Sequence, residues 1–387
     1  MDQPTTRKNA RIDVADVLRG LAVMGIIILH SIEHFNFGSY PDTSAQSAWL
    51  NFTDKAIWDG LFFMFGGKAY AVFALLFGFS FFIQDNNQQM KGKDFRLRFC
   101  WRLILLFLFG NLNASFFTAE VLVLYSLVGF ILVPTCRLSN KTVLILACLL
   151  LIQPLPLYYT LRAAFDPTYT PLTIPTRELW MTTYQSQMNG TFLETLRTNL
   201  WEGQLASLAW AWDHGRVFQT AALFLLGMLA GRRRLFLQEA LPVWNKICAG
   251  AIIAFFPLYG INNLLPQFIE NRSILVPLSL IISSLANFAF MLMLVSGVLF
   301  MYYRTRMQSL LRKIIPYGKM SLTNYITQSI IGSFLFYHWG LGLHSHLTIT
   351  ASCLTGIVLF FLQWKCCDWW MKHGPLEYLW KRATWLR

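Results

Sequence analysis

The stretch VLRGLAVMGIIILHSIEH, from Val17 to His34, contains enough apolar residues to cross a lipid bilayer as one helix. It nevertheless carries Arg19 near one end and His30 near the other. These two residues are 11 positions apart, which in an α-helix corresponds to about three turns and a rise of roughly 16 Å. Their side chains therefore lie on one stripe of the predicted helix, close to its opposite ends.

Two acidic residues extend this stripe. Asp16 precedes Arg19 by three residues and Glu33 follows His30 by three, so each pair shares a helix face. Ionisable side chains inside a membrane helix are costly and generally face a protein interior or a wet cavity. The pattern predicts a catalytic stripe formed by His30, Arg19, Asp16 and Glu33. The alternative is that Arg19 reaches the membrane interface and His30 only ends the helix.

The whole chain has the composition of a helical membrane protein. Of its 387 residues 55% are hydrophobic and 13% are charged, and the mean hydropathy is +0.46, whereas a soluble protein contains about 25% charged residues. Apolar runs of membrane-spanning length recur, and no series of short alternating segments indicates a β-barrel. We expect an all-α polytopic membrane protein with a single transmembrane domain over residues 1–387.

Ten apolar runs predict about ten transmembrane helices with both termini in the cytoplasm. Most of the 32 Lys and Arg residues then lie in cytoplasmic connections, in agreement with the positive-inside rule. The same rule accounts for the net charge of +13, so we expect the lipid bilayer, and no nucleic acid, as a partner. The predicted spans are residues 14–34, 61–83, 99–117, 120–136, 142–160, 215–231, 246–264, 274–302, 319–338 and 348–370.

Two segments outside the spans have compositions of their own. Residues 161–213 form a long external loop that begins rich in proline and continues as FLETLRTNLWEGQLASLAWAWDH, which is typical of an interfacial helix. This loop is either a lid or acceptor-binding element, or a structural cap. Residues 371–387 combine Trp, Tyr, Lys and Arg and are predicted to form a tail on the cytoplasmic membrane surface.

The cysteines and the apolar helix faces add two expectations. None of the seven cysteines shows CxxC spacing, so we predict neither a disulfide framework nor a metal site. Apolar helix faces that stay exposed are compatible with a homodimer.

Polar residues in other predicted spans suggest a central cavity that opens to the cytoplasm and closes near His30. One face of the ninth span is polar, with residues at i, i+3, i+4 and i+7. These are Ser321, Asn324, Tyr325 and Gln328. Any single amide is explained equally well by a hydrogen bond to a neighbouring helix. The residues assigned to substrate binding are Lys68, Asn113, Glu120, Ser321, Asn324, Tyr325 and Gln328.

Several stretches together resemble the YeiB family of bacterial inner-membrane proteins. They are IDVADVLRGLAVMGI, FALLFGFSF, WRLILLFLFGNLNAS, EVLVLYSLVGF, GKMSLTNYITQSII and GPLEYLWKR, in this order along nearly the whole chain. The first helix, with Asp16, Arg19, Gly20 and His30, is also similar to that of the membrane acyltransferase superfamily. That superfamily includes the acyltransferase-three family and heparan-alpha-glucosaminide N-acetyltransferase.

The resemblance implies roles for particular residues. His30 matches a catalytic membrane histidine and Arg19 an arginine important in the same helix, while Arg98 and Arg102 are nearest to basic residues that contact the acyl donor. Asn113 stands where many YeiB-like chains carry a histidine, which leaves a second catalytic histidine without a counterpart here.

The implied function is acyl transfer across the inner membrane of a bacterium. Acyl-CoA, expected to be acetyl-CoA, would dock from the cytoplasm with its phosphates on basic side chains, and His30 would serve a small-molecule or glycan acceptor from the periplasm as base or acyl carrier. A transporter or exporter with a polar central cavity is the main alternative, and a non-catalytic scaffold is a third. The residues expected to bind the donor phosphates are Arg96, Arg98 and Arg102, or the triplet Arg232, Arg233 and Arg234.

Overall fold

In a computed structural model, the apolar runs of the chain fold into α-helices that pack around the first of them. The structure describes residues 12–38, 40–166, 168–171, 174–370 and 374–385. The segment before Ile12 and part of the predicted surface tail, residues 371–373 and 386–387, lie outside these ranges. No β-strand occurs in the described residues, and the all-α fold is confirmed.

The chain forms its helices in three groups. The first group is α1 (Asp13–Ile32), α2 (Ala48–Phe65), α3 (Ala69–Gln89), α4 (Arg96–Phe116), α5 (Leu122–Val128), α6 (Leu132–Thr135), α7 (Asn140–Leu151) and α8 (Pro154–Phe165). The second is α9 (Thr176–Asn189), α10 (Phe192–Thr198) and α11 (Gln204–Asp213). The third is α12 (Arg216–Arg232), α13 (Leu241–Phe268), α14 (Arg272–Arg304), α15 (Gln308–Arg312), α16 (Ile315–Lys319), α17 (Ser321–Phe336), α18 (Ile349–Trp370) and α19 (Pro375–Thr384).

Long apolar helices make this a polytopic membrane protein. Among the described residues, six helical segments are long and apolar enough to cross a bilayer, and the pair α7 and α8, bent by 49°, adds a seventh when it is counted as one span. The six are Asp13–Ile32, Ala48–Gln89, Arg96–Phe116, Gln238–Phe268, Arg272–Arg304 and Ile349–Trp370.

The other predicted spans are shorter than expected, so the number ten is not confirmed. Residues 120–136 divide into α5 and α6 on either side of a tight turn at Gly129–Ile131. Helix α12 has 17 residues and α17 has 16. Such lengths are at or below the lower limit for a helix that crosses about 30 Å of hydrocarbon.

The predicted span 61–83 is not one helix, because α2 ends at Phe65 and α3 begins at Ala69. Helix α2 starts at Ala48, where the Ser47 side chain accepts a hydrogen bond from the Leu50 N–H. The polar residues that follow are accommodated because Asp54 is buried and accepts hydrogen bonds from the Thr350 N–H at 2.8 Å and hydroxyl at 2.6 Å. A tertiary contact with the start of α18 thus extends the helix beyond its apolar part.

Helices α3 and α12 approach each other closely enough to need glycine. A Cβ atom at Gly78 would lie 1.9 Å from the Phe224 carbonyl oxygen, and one at Gly227 would lie 1.9 Å from the Leu75 carbonyl oxygen. Small residues at such crossings let helix backbones pack tightly in membranes. This contact fixes α3 beside α1 and α12 in the core.

The loop predicted to be external, residues 161–213 and here called the external segment, is folded into helices over most of its described residues. A capping box between Thr191 and Glu194 starts α10, and α10 continues through a π-helical segment, Asn199–Gly203, into α11. Buried Asn199 donates to the Ser115 carbonyl at 2.9 Å and accepts from Gln187 at 2.9 Å. These bonds attach the external helices to the outer end of α4.

Candidate functional site

The inner half of the α1 stripe is an ion pair bound to a neighbouring helix. The Arg19 guanidinium donates to the Asp16 carboxylate at 2.5 Å and to the Ser80 hydroxyl of α3 at 2.6 Å. Asp16 is fully buried, whereas the Arg19 side chain keeps 21% of its surface exposed. The predicted pairing of these residues is present, and it directs Arg19 towards a cavity.

That cavity, here called the inner cavity, has a volume of about 570 Å³. Helices α1, α3, α4, α5, α16, α17 and α19 supply its walls, which combine phenylalanine and leucine side chains with neutral polar groups, basic groups and the Glu377 carboxylate. The basic side chains that line it are Arg19, Lys91, Arg102, Lys319 and Lys381.

The three arginines predicted to bind the donor lie in different surroundings. Arg102 lines the inner cavity, and its Cζ atom lies 4.1 Å from the ring centre of Trp380. Arg98 lies outside the cavity lining and stacks on Trp385 at 4.4 Å. Arg96 is exposed and paired with Asp94 at 2.7 Å. The structure therefore places one of the three, Arg102, at the cavity.

The alternative donor site at residues 232–234 has its first arginine engaged elsewhere. Arg232 donates to the Cys136 carbonyl at 2.7 Å, and to the Leu138 carbonyl and Asn140 side chain at 2.9 Å each. These bonds hold the turn between α6 and α7, which is a structural role.

Helix α19 covers the inner cavity from the tail of the chain. Glu377 accepts hydrogen bonds from the Leu322 and Thr323 N–H groups at 2.7 and 3.0 Å. A carboxylate at this position satisfies unpaired N–H groups at the start of α17 and complements the helix dipole. Part of the segment expected to rest on the membrane surface is thus docked against α4 and α17.

The outer end of the stripe is aromatic. The His30 ring stacks on Phe117, with centroids 4.6 Å apart, and meets the edge of His34 at 5.2 Å. Glu33 lies 3.5 Å from His34. Over the residues that the structure describes, no group of three His, Cys, Asp or Glu side chains is placed to hold a metal ion.

His30 lines a second cavity, here called the outer cavity, with a volume of about 720 Å³. The ends of α1, α2 and α3 form one side of it, and the external helices α9 and α11 form the other. Tyr325 lines both cavities, so the inner and outer cavities meet at this buried side chain. The polar and aromatic residues of the outer cavity include Glu33, His34, Tyr70, Glu120, Arg177, Trp180, Tyr184, Trp210 and Arg216.

Asn113 and Glu120 form one buried unit between α4 and α5. The Asn113 amide and the Leu122 N–H both donate to the Glu120 carboxylate. Glu120 lines the outer cavity, whereas Asn113 supports it from behind. Asn113, the residue that stands where a histidine is expected in related chains, thus orients the Glu120 carboxylate.

The polar face of α17 divides between the cavities and a helix contact. Ser321 and Tyr325 line the inner cavity. Asn324 donates to the Tyr317 carbonyl at 3.0 Å and accepts from Cys367 at 3.3 Å, so it joins α16 and α18. Gln328 is buried and lines neither cavity.

Lys68 also lies outside the lining of the outer cavity. Its ammonium group is 5.5 Å from the ring centre of Phe290 and 5.8 Å from that of Phe63. The cation that lines this cavity next to it is Arg216, at the start of α12.

Sequence reasoning gave the long loop as a lid or acceptor-binding element, or a structural cap, but it missed the individual α9 residues that line the outer cavity. Arg177, Trp180, Met181 and Tyr184 recur at i, i+3, i+4 and i+7 along α9 and all line it, and this periodicity was the available signal. Burial raises the pKa of Tyr184 to about 12, so its phenol remains a hydrogen-bond donor at neutral pH. Burial also lowers the pKa of His214, which follows α11.

Comparisons with known proteins bear on the family. Residues 230–387 match the family described as "Protein of unknown function (DUF418)". The chain is 37% identical to the Escherichia coli "Uncharacterized protein YeiB" over 71 residues, 17% of this chain and 18% of that protein. The predicted resemblance to YeiB is thereby confirmed over these residues.

Other similar proteins extend the likeness over the whole chain. The Bacillus subtilis "Uncharacterized protein YxaH" is 28% identical, covering 99% of this chain and 96% of its own length. An "Uncharacterized 39.9 kDa protein in amylase 3'region" from Bacillus acidopullulyticus is 23% identical over 97% of this chain and 94% of its own length. No solved structure matches the chain significantly.

Proposed function

We propose that this protein is a membrane-embedded acyltransferase that moves an acyl group, expected to be acetyl, from cytoplasmic acyl-CoA to an amine or hydroxyl acceptor reached from the periplasm. One observation carries the proposal: a cationic inner cavity and an outer cavity containing His30 meet at Tyr325. A reaction between two substrates from opposite sides of a membrane needs this arrangement.

The inner cavity suits a coenzyme A thioester. Lys91, Arg102, Lys319 and Lys381 offer charge-assisted hydrogen bonds to phosphate groups. The apolar walls formed by α3 and α4 suit the uncharged pantetheine arm. Arg19, held by Asp16 and Ser80, lies where this arm would pass from the phosphate end towards the acyl end.

The chemical step requires a base at the outer cavity. His30 removes the proton from the acceptor hydroxyl or amine while the acceptor oxygen or nitrogen attacks the thioester carbonyl carbon. The new C–O or C–N bond forms, the C–S bond breaks, and the departing thiolate takes the proton from the imidazolium. A transient acyl group on His30 is the covalent variant of the same step.

The thioester must pass Tyr325 to reach His30. Tyr325 is only 4% exposed and lines both cavities, so its side chain has to turn aside for the acyl end of the donor. In the acyltransferase proposal this residue controls contact between the substrates.

We also infer ten membrane passages, cytoplasmic termini and a location in the bacterial inner membrane. The long helical segments and the bent pair of α7 and α8 supply seven of these passages. Helices α5 and α6 together, α12 and α17 would supply the other three. The distribution of basic residues in the connections supports this orientation, and the similar proteins come from bacteria.

The donor site can be tested by thermal stability of the purified full chain in detergent with acetyl-CoA. A ligand that binds only the folded state stabilises it by RT ln(1 + [L]/Kd), so the rise in Tm with ligand concentration reports Kd. We expect a concentration-dependent rise in Tm for the native chain, and Arg102→Gln should increase the apparent Kd at least tenfold. Arg96→Gln is the matched control, because Arg96 is exposed and away from the cavity.

The acyl-transfer step is tested separately from binding of the donor. His30→Ala should keep the stabilisation by acetyl-CoA but lose release of coenzyme A, measured by chromatography, in the presence of an acceptor. Absence of any shift with millimolar acetyl-CoA would refute the acyltransferase proposal.

One feature favours transport as the second candidate. Tyr325 lines both cavities, and two cavities that share a wall residue are also compatible with an alternating-access carrier. A transporter would be stabilised by a polar metabolite and not by coenzyme A. Tyr325→Ala would then make vesicles leak that metabolite, whereas the enzyme would only lose rate.

A further inference from the structure

The outer cavity is lined by two arginine side chains that have no part in the proton transfer proposed for His30. Arg177 of α9 and Arg216 of α12 both line it, and neither forms an ion pair with a carboxylate among the described residues. A cation in a partly closed site without a carboxylate partner is available to an anionic ligand. The identity of the acceptor can therefore be narrowed.

Arg216 is held in a fixed orientation. It donates to the Gln219 side chain at 3.1 Å, and its Cζ atom lies 4.5 Å from the Tyr70 ring centre and 5.4 Å from that of Trp210. Stacking on aromatic faces leaves the edge of the guanidinium open, and this edge carries paired donors that match a phosphate or carboxylate. Most of its five N–H groups have no acceptor in the described structure.

A second cation strengthens the field at this end of the cavity. Lys68 lies next to Arg216, since a Cβ atom at Gly67 between them would be 3.4 Å from the Arg216 guanidinium. Among the described residues, the Lys68 ammonium group lies 3.4 Å from the Phe62 carbonyl oxygen and near the rings of Phe63 and Phe290.

The carboxylates of the cavity are engaged elsewhere. Glu120 accepts hydrogen bonds from Asn113 and the Leu122 N–H, and Glu33 lies 3.5 Å from His34. Neither neutralises Arg216. Among the described residues, neither carboxylate forms an ion pair with Arg216 or Arg177.

Between these groups the walls are aromatic. Trp180 and Tyr184 of α9 have ring centres 5.6 Å apart, and Trp210 and Tyr70 flank Arg216. Tyr and Trp combine a flat apolar face with a polar edge, which suits a ligand that has both apolar faces and hydroxyl groups.

We propose that the acceptor is a polyhydroxylated anion, a sugar or polyol that carries a phosphate or carboxylate, with Arg216 and Arg177 binding its charge. This inference rests on the proposed function for the reacting hydroxyl or amine, which His30 would deprotonate. The anion at Arg216 would orient the acceptor so that another of its groups lies at His30.

The test measures binding of defined probes to the full chain in phosphatidylcholine nanodiscs. Tryptophan fluorescence and Tm are recorded with glucose 1-phosphate, glucuronate and glucose. We expect saturable changes with the two anions and at least tenfold weaker binding of glucose. Arg216→Gln should weaken the anions at least tenfold, Arg216→Lys should retain part of the affinity, and Arg197→Gln, an exposed change on α10 outside the cavity, should change nothing.

The lipid composition of the nanodiscs distinguishes a lipid headgroup from a soluble or glycan-borne anion. If nanodiscs containing phosphatidylglycerol compete with glucose 1-phosphate and Arg216→Gln removes this competition, the anionic polyol is a lipid headgroup. If they do not compete, it is a soluble or glycan-borne group.

The outcome is separable from that of the acyltransferase proposal. Equal binding of glucose and the anions, or anion binding that is unchanged in Arg216→Gln, would overturn the inference even if acetyl-CoA binds the inner cavity. Anion binding that depends on Arg216, without any effect of acetyl-CoA, would uphold the outer site and overturn acyl transfer.

Discussion

Single side chains decide how charge is tolerated inside this protein. The guanidinium of Arg19 lies deep in the bundle because it binds both Asp16 and Ser80. The sequence predicted the Asp16–Arg19 pair from a spacing of three residues. It did not predict Ser80, because a contact between separate helices leaves no local spacing pattern.

We expect Asp16→Ala to destabilise the protein by about 3 kcal/mol, since it removes the buried carboxylate from its ion pair with Arg19. The measurement is Tm in detergent, followed by the fraction that remains monodisperse after heating. Asp59→Ala is the control, because the Asp59–Lys55 pair is largely exposed, at 60% and 77%, and such pairs contribute about 0–1 kcal/mol. Equal effects of the two changes would contradict a structural role for Asp16.

At the scale of elements, close helix contacts rather than apolar length hold the core. Helices α3 and α12 touch through backbone atoms at Gly78 and Gly227, although α12 is too short to be recognised as a clear span. Helix α2 is likewise longer than its apolar run because Asp54 binds the start of α18. Hydropathy reports neither contact.

Gly227→Ala should separate α3 from α12 and destabilise the protein by about 3 kcal/mol, because the added methyl group meets the Leu75 carbonyl oxygen, which cannot move independently of its helix. Gly78→Ala should have a similar effect. The measurement is Tm together with the yield of monodisperse protein.

The control for both substitutions is Gly297→Ala in α14, where no atom lies within 4 Å of the added Cβ. Alanine is favoured over glycine in a helix interior by about 0.5–1 kcal/mol, so this variant should be as stable as the native chain or slightly more so. A loss of stability in all three variants would point to a general requirement for helix flexibility.

The arrangement of the whole molecule depends on how many times the chain crosses the bilayer. Ten passages with cytoplasmic termini place Lys55 and Phe165 outside and Met90 and Met307 inside. These side chains are exposed, and Phe165, at 88%, is the most exposed of the three hydrophobic ones.

We expect single cysteines at the outside positions to react with a membrane-impermeant maleimide on intact bacterial cells, in a chain whose seven native cysteines are replaced. Those at the inside positions should react only after permeabilisation. Labelling of Phe165→Cys only in permeabilised cells would show that the bent pair α7 and α8 does not cross, and the predicted topology would be wrong.

The helical membrane fold and the polar stripe of α1 could both be predicted from the order of the residues. Both follow from local rules, since backbone groups in lipid must pair within helices and since helical periodicity places Asp16, Arg19 and His30 on one face. These inferences need no knowledge of which helices are neighbours.

The surroundings of the stripe depend on how the helices pack and could not be predicted from local patterns. Arg216 and the α9 residues lie far from His30 in sequence, yet they line the same cavity, while Lys68 and Asn324, which the sequence favoured, face neighbouring helices. The direction of a polar side chain is set by the packing of helices distant in the chain, because burial without a partner is costly. For this reason the sequence predicted a single central cavity that closes near His30, whereas the fold has two cavities that are both lined by Tyr325.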